Sequence, residues 1–240
     1  MDNIICIKWG TPYSADDVNK LYGMAARNRN RPFRFACFTD DGAGIRPEVA
    51  VFPIPPLNVP QKWDFQGWRK LALFAPELGD LEGAALFLDL DVLITGPLDD
   101  FFDLPGEVYI IENWTQPGQG VGNSSAFRFV IGAHTGIYDR FNAEPDAIIA
   151  NYANEQTVIS RLVGRDRLKF WPADWVVSFK RHCLPFYPLR LFQRPFLPKG
   201  ARIVAFHGLP KIADAIRGEW RGRPLKLLKP APWIAPIWRA

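Results

Sequence analysis

The chain has 240 residues, 48% of them hydrophobic, with nine Trp and eighteen Phe. It is long and apolar enough to bury one substantial core, and disorder is excluded over most of its length. Three cysteines, Cys6, Cys37 and Cys183, lie far apart with no C-x-x-C pair, which excludes a disulfide framework and suits a reducing compartment.

The formal net charge of +4 conceals an asymmetry: 12 Lys/Arg stand against 21 Asp/Glu through Ser160, and 17 against 4 from Arg161 onward. An acidic half suited to a metal precedes a basic half suited to phosphates or an anionic surface. Residues 1–5 carry no basic segment and no long apolar run, so no signal peptide is expected. No window reaches the apolar length of a membrane span, and a cytoplasmic chain is expected.

Residues 3–8 read as a buried first strand and residues 9–13 as the loop leaving it. Ser14 is the expected N-cap of a helix carrying Val18, Leu21, Tyr22 and Ala25, with Asp16 and Asp17 in its first turn. Residues 33–38 form a second strand, ended by Thr39-Asp40-Asp41-Gly42. Residues 49–52 form a short third strand, followed by a proline-rich loop through Pro60. Leu71, Phe74, Ala75 and Leu78 give residues 68–78 a helical spacing.

The next stretch, Ala84-Ala85-Leu86-Phe87-Leu88-Asp89-Leu90-Asp91-Val92-Leu93-Ile94, is an apolar run interrupted only by two aspartates. In an extended chain Asp89 and Asp91 share one face and Leu90 takes the other. Two carboxylates in an apolar setting repel and desolvate badly unless a cation compensates them, and a hard divalent cation does so through oxygen ligands. A D-x-D taken alone is more often a solvated strand end. Here the apolar flanks and the turn at Thr95-Gly96-Pro97-Leu98 favour a metal site.

Beyond residue 100 the pattern loosens. Residues 107–111 read as a strand, and residues 117–125 as a glycine-rich loop. Its glycines do not match G-x-G-x-x-G, and no P-loop occurs, so no dinucleotide or Walker site is expected. Residues 126–130 resume a strand, 155–162 a helix, and 171–198 are aromatic and proline-rich. Residues 202–206 form a last strand, delivering His207-Gly208-Leu209-Pro210-Lys211.

Such alternation predicts an α/β fold with a mostly parallel sheet, whose ligands bind beyond the carboxyl ends of the strands. Lys8-Trp9-Gly10, Thr39-Asp40-Asp41 and Asp89-Leu90-Asp91 would converge there. His207 directly follows a buried strand and would supply a nitrogen ligand to an oxygen-rich site suited to Mn²⁺. Lys211 would then neutralise phosphate oxygens.

The segment from Phe87 to Ile94, preceded by Lys70-Leu71 and followed by Leu98-Asp99-Asp100-Phe101-Phe102, resembles a GT-A-fold nucleotide-sugar glycosyltransferase. It is most similar to the glycogenin-like and lipopolysaccharide galactosyltransferase-like family eight. The resemblance runs from Ile4 to Lys211. It implies a GT-A (Rossmann-like) single domain over residues 1–217, its mostly parallel sheet flanked by helices; residues 218–240 themselves read as a basic, Trp/Pro-rich tail. It implies that Asp89, Asp91 and His207 bind Mn²⁺ (or Mg²⁺), which holds the diphosphate of a UDP-sugar. Lys70 and Lys211 would contact the donor. The loop from Lys8 through Gly10 to Tyr13 would cradle uridine together with Thr39 and Asp40. Asn123, Ser124, Glu155 and Gln156 would line the donor sugar and reaction centre, with a glycan or lipid-linked acceptor and no nucleic acid as partner. The chain departs from the family pattern in placing Gly208 directly after His207, Thr157 where a second carboxylate is usual, and no aspartate in the first-strand loop.

Two other classes compete. A haloacid-dehalogenase-type phosphatase also sets D-x-D after an apolar strand, but needs an adjacent acidic pair downstream. Asp166, Asp174, Asp214 and Glu219 do not form one. A non-catalytic basic module binding anionic membrane or nucleic acid leaves the D-x-D unexplained. The tail reads in two ways. Trp220, Trp233 and Trp238 among Arg221, Arg223, Lys226, Lys229 and Arg239 suit peripheral contact with the anionic inner face of a membrane, or packing on the chain's own domain.

Overall fold

The apolar runs become strands and the amphipathic stretches helices in the computed structural model, which describes residues 1–221 and 227–240. The chain runs β1 (Asp2–Lys8), α1 (Ala15–Arg27), β2 (Phe33–Thr39), β3 (Ala50–Phe52), β4 (Ala84–Leu88) and β5 (Val92–Ile94). It continues through α2 (Asp100–Asp103), β6 (Val108–Glu112), β7 (Gly122–Val130), α3 (Gly136–Ala143), α4 (Pro145–Asn151), α5 (Glu155–Val163) and β8 (Leu168–Phe170). It closes with β9 (Val176–Ser178), β10 (Ile203–Ala205) and α6 (Ile212–Arg217).

One sheet has the order β3-β2-β1-β4-β7-β6-β8, in which β7 alone runs against its neighbours. A second, small sheet has the order β5-β10-β9. Alternate side chains of the central strands feed two cores. Ile4, Cys6, Leu86 and Leu88 pack towards α1 and the small sheet. Ile5, Ile7, Ala85 and Phe87 pack on the opposite face against α3 and α5. This period-two division makes the sheet the middle of three layers.

Ser14 precedes α1 as expected, with the Asp17 carboxylate accepting from its N–H at 2.8 Å and its hydroxyl at 2.9 Å. Three expectations change. The stretch at 68–78 is a 3₁₀ helix over Gly67–Phe74. It is buried nearly all round, through Trp68 and Lys70 to Phe74, and Pro76 prevents continuation. The loop at 117–125 ends early, because β7 already begins at Gly122. The run at 84–94 is two strands in different sheets.

The described part of the tail packs on the domain and contains no helix. Ala231 and Ile234 are fully buried, and Trp220, Trp233 and Trp238 lie against the α1-side core. Trp238 also receives the Lys20 ammonium over its ring at 3.9 Å. Arg27 donates to the Ile237 and Arg239 carbonyls at 3.0 and 2.7 Å. Arg223 and Lys226 lie outside the described residues. Among the described residues no helix is long and apolar enough to cross a membrane.

Candidate active site

Because β1, β2 and β4 are parallel, their carboxyl ends deliver Lys8, Thr39 and Asp89 to one edge of the sheet. The buried Lys8 ammonium donates to the Asp41 carbonyl at 2.9 Å and to Thr39 Oγ1 at 3.4 Å. The Gly10 N–H donates to Asp40 Oδ2 at 2.9 Å. The two loops expected to form a nucleoside cradle are thus tied to each other.

The D-x-D is a corner rather than one face of a strand. β4 ends at Leu88, the chain turns through Asp89-Leu90-Asp91, and β5 joins the other sheet. Leu90 anchors the corner in the core. The Asp89 N–H donates to the Ser125 carbonyl and the Phe206 N–H to the Asp91 carbonyl, both at 2.9 Å. The carboxylates are therefore presented to different partners.

Asp89 meets the Lys70 ammonium at 2.7 Å. Burial pushes its carboxyl up to about 6, with Lys70 opposing the shift and the Asp91 charge adding to it. Burial works against the Lys70 ammonium too, yet Asp89 and Glu155 hold its pKa above the usual lysine value. Ser124 Oγ donates to Glu155 Oε1 at 2.6 Å and accepts from Lys70 at 3.2 Å. Gln156 Oε1 accepts from Asn123 Nδ2 and from the Ser124 N–H, each at 3.3 Å. Glu155 and Gln156 open α5, whose N-cap Asn154 accepts from the Thr157 N–H. Gly67 makes room for the Glu155 carboxyl, since a Cβ there would lie 2.6 Å from its carbon.

Asp91 has a second set of partners. Its Oδ2 accepts from the Tyr13 hydroxyl and the Lys211 ammonium, each at 2.8 Å, and Lys211 also donates to the Tyr13 oxygen at 2.9 Å. Burial and the adjacent Asp91 raise the Tyr13 phenol well above its ordinary pKa.

His207 is turned elsewhere. Its Nε2 lies 2.8 Å from Ser178 Oγ, and its ring stacks on Trp114 at 5.3 Å and 19°. Burial, helped by Lys180, lowers its pKa to about 4, so the imidazole is neutral at pH 7. His182 accepts from the Ser178 N–H at 2.9 Å and sets its ring edge against Trp114. A cavity of about 410 Å³ opens here between Trp114, Trp171, Arg181 and His182.

Sequence reasoning missed Trp114, Ser178 and His182. For Ser178 a signal existed: it is the polar residue closing an apolar strand, followed at once by Phe179-Lys180-Arg181-His182. Trp114 carries no local signal, because its partner is 93 positions away (Trp114 to His207).

Among the described residues no three His, Cys, Asp or Glu side chains converge closely enough to hold a metal ion. Lys70 and Lys211 stand against the two carboxylates, and His207 faces Ser178. The donor chemistry nevertheless fits a hard divalent cation. The imidazole is unprotonated, and Asp89 is a carboxylate whose charged form burial disfavours, a cost that a coordinated cation would offset.

No family model matches the sequence, and no curated protein matches it. Among solved structures, the chain is similar to the galactosyltransferase LgtC in complex with donor and acceptor sugar analogues, at 14% identity and a TM-score of 0.54 over 88% of each chain. It is also similar to the glycosyltransferase GlyE of Streptococcus pneumoniae TIGR4, at 14% identity and a TM-score of 0.59, over 94% of this chain and 60% of that one. A third similar structure is the bifunctional glycosyltransferase WbbM, at 14% identity and a TM-score of 0.57, over 87% of this chain and 46% of that one. At such identity the likeness speaks for architecture: the chain has the GT-A (Rossmann-like) α/β fold that it shares with these glycosyltransferases.

Proposed function

We propose that this chain is a glycosyltransferase that moves a hexose from a nucleotide-sugar donor, with UDP as the nucleotide, to a glycan or lipid-linked acceptor. The observation that carries the reading is the convergence of Lys8, Thr39, Asp89 and Asp91 at the carboxyl edge of a parallel sheet. Two lysines, Lys70 and Lys211, stand against the two aspartates there. An edge of this kind is where open α/β sheets take their ligands.

Lys8, Gly10, Thr39 and Asp40 would hold the nucleoside, with Tyr13 at the mouth of that cradle. Lys70 and Ser124 would meet the donor sugar beside Glu155, Gln156 and Asn123. The LgtC structures include one described as an active-site mutant in which glutamine becomes glutamate. In this chain the corresponding candidate is Gln156, which braces Asn123 and Ser124 beside the D-x-D corner.

Asp89, Asp91 and His207 would hold Mn²⁺ (or Mg²⁺), which supplies charge neutralisation for the diphosphate when bound. Lys211, 41% exposed, is free to leave Asp91 and meet a phosphate oxygen. Negative charge grows on the diphosphate as the anomeric C–O bond breaks, so an ammonium placed there lowers the barrier rather than only tightening binding.

The test is a donor-hydrolysis screen over UDP-sugars, with Mn²⁺ and with EDTA, because slow hydrolysis reveals the donor without the acceptor. Release of UDP from one donor, lost on chelation, is the expected result. A chain that neither hydrolyses nor binds any nucleotide sugar in ligand-observed NMR would overturn the reading.

A further inference from the structure

Among the described residues, ten large apolar side chains stand exposed, and five of them crowd into residues 186–197. They are Phe186 (69% exposed), Tyr187 (75%), Phe192 (75%), Phe196 (49%) and Leu197 (37%). So dense a cluster of exposed aromatics marks an interaction surface rather than ordinary surface scatter.

The strip is also strongly positive. From Trp175 to Ala213 the chain has no Asp or Glu, while Arg181, Arg194 and Lys199 are exposed within that stretch. The backbone beneath is fixed. The Phe196 N–H donates to the Cys183 carbonyl at 2.9 Å, the Trp233 indole to the Pro195 carbonyl at 3.1 Å, and Lys229 to the Phe192 carbonyl at 3.0 Å. The aromatic rings are therefore held outward by a built scaffold. The tail, read from sequence as either a membrane contact or a segment packed on its own domain, serves in its described part as a brace behind this strip.

We infer that residues 186–197 form a docking surface for an anionic lipid bilayer. Aromatic rings with an apolar body settle at the headgroup boundary, and Arg181, Arg194 and Lys199, set against the single acid Asp174 that lines the adjoining groove, leave an excess of positive charge that is drawn to anionic lipid. An acidic protein surface would complement the arginines but would leave exposed phenylalanines on a charged partner. A bilayer satisfies both.

The position is apt as well. A groove of about 810 Å³ between Leu184, Phe186, Phe196 and Arg181 leads from the strip. Arg181 and His182 also line the cavity beside Trp114, the residue stacked on His207. A bilayer on this strip therefore lies next to the cavity beside Trp114, across the shared residues Arg181 and His182. The docking stands on surface chemistry alone and is measured without any transfer reaction.

The test is co-sedimentation of the full chain with vesicles of mixed phosphatidylglycerol and phosphatidylcholine, and with vesicles of phosphatidylcholine alone. At low salt the wild type is expected to partition to the anionic vesicles by about tenfold more than to the neutral ones. The triple variant Phe186→Ser/Tyr187→Ser/Phe192→Ser is expected to lose about tenfold of that binding. The pair Arg194→Glu/Lys199→Glu is expected to erase the preference for anionic lipid. All changed side chains are exposed, and an unchanged melting temperature verifies folding. Phe192→Ser alone, expected to weaken binding in part, serves if the triple variant melts early. Equal binding to both vesicles by the wild type would overturn the inference, as would undiminished binding by the serine variants. So would light scattering that shows a wild-type dimer made monomeric by the serine changes, which would assign the strip to a second copy.

Discussion

Lys211 and Asp91, 120 positions apart in the chain, meet at 2.8 Å, and the Tyr13 hydroxyl closes the triangle on the same carboxylate oxygen. The lysine end of this pair is partly open to solvent, so its contribution to stability is small, on the order of 0–1 kcal/mol. Its position at the D-x-D corner is what gives it a role in chemistry. Asp91→Asn should therefore leave the denaturation midpoint nearly unchanged while reducing UDP-sugar hydrolysis by at least about a hundredfold. Guanidinium melts and coupled UDP-release assays on the same preparation check both halves. Hydrolysis near the wild-type rate would remove Asp91 from the site.

Lys70 is expected to behave differently because it is buried. It faces Asp89 at 2.7 Å and Glu155 at 3.8 Å, and its removal leaves two carboxylates without their cation. Lys70→Met should cost about 3 kcal/mol in folding stability, as breaking a buried pair does. Lys70→Met/Asp89→Asn should recover part of that loss but no activity. If the double variant is as unstable as the single one, the cost lies in packing and not in charge.

Gly67 offers a steric test of Glu155. Adding a methyl group places a Cβ within 2.7 Å of both carboxylate oxygens, against which the side chain must move. Gly67→Ala is expected to cost about 1–3 kcal/mol, in the range of an overpacked site. It should also lower the turnover of donor hydrolysis, through displacement of Glu155 from Ser124. A variant with wild-type kinetics would show that Glu155 does not need its present position.

Burial lowers the pKa of all three histidines of the chain, His134, His182 and His207, the last to about 4. The unfolded chain takes up protons on these rings near their ordinary value, while the folded chain resists until lower pH. Stability from this source is full above about pH 6.5 and declines as the pH falls through that window. Asp89, raised to about 6, acts in the opposite sense, since the folded chain takes up its proton first. Three histidines against one aspartate leave a net loss. The melting temperature should be lower at pH 5 than at pH 7, and His207→Gln should flatten the profile. A melting temperature that is equal or higher at pH 5 would contradict this.

Much of the fold was legible because buried strands announce themselves. Residues 4–7 and 35–38 are continuous apolar runs, and a parallel sheet covered on both faces requires such runs. The same rule hid the D-x-D corner. Val92-Leu93-Ile94 is as apolar as Ala84-Ala85-Leu86-Phe87-Leu88, so nothing local shows that the chain changes sheets between them. The helices α3 and α4 carry only a weak sequence signal because Glu144-Pro145 splits one amphipathic stretch into two short ones. Within the site, Lys70, Asp89, Ser124 and Glu155 come together from four separate stretches of the chain. The Ser178–His207 contact and the Trp114 stack depend on long-range packing that a single sequence does not encode locally.

The pairing of β5 with β10 has a consequence for biosynthesis. Ile94 is matched with Ile203, 109 positions later, and the strand immediately after Asp91 has no hydrogen-bonded partner in its sheet until β10 is made. At about 5–20 residues per second, that strand waits on the order of 5–20 s after synthesis before its neighbour exists. Val92-Leu93-Ile94 is thus an apolar edge open on the nascent chain for that interval, and the loop closure that ends it is long and entropically costly. The aspartate corner is consequently among the last features of the molecule to be fixed. Substitutions that slow the arrival of β10 should lower soluble yield in the cell well before they alter the melting temperature of the purified protein.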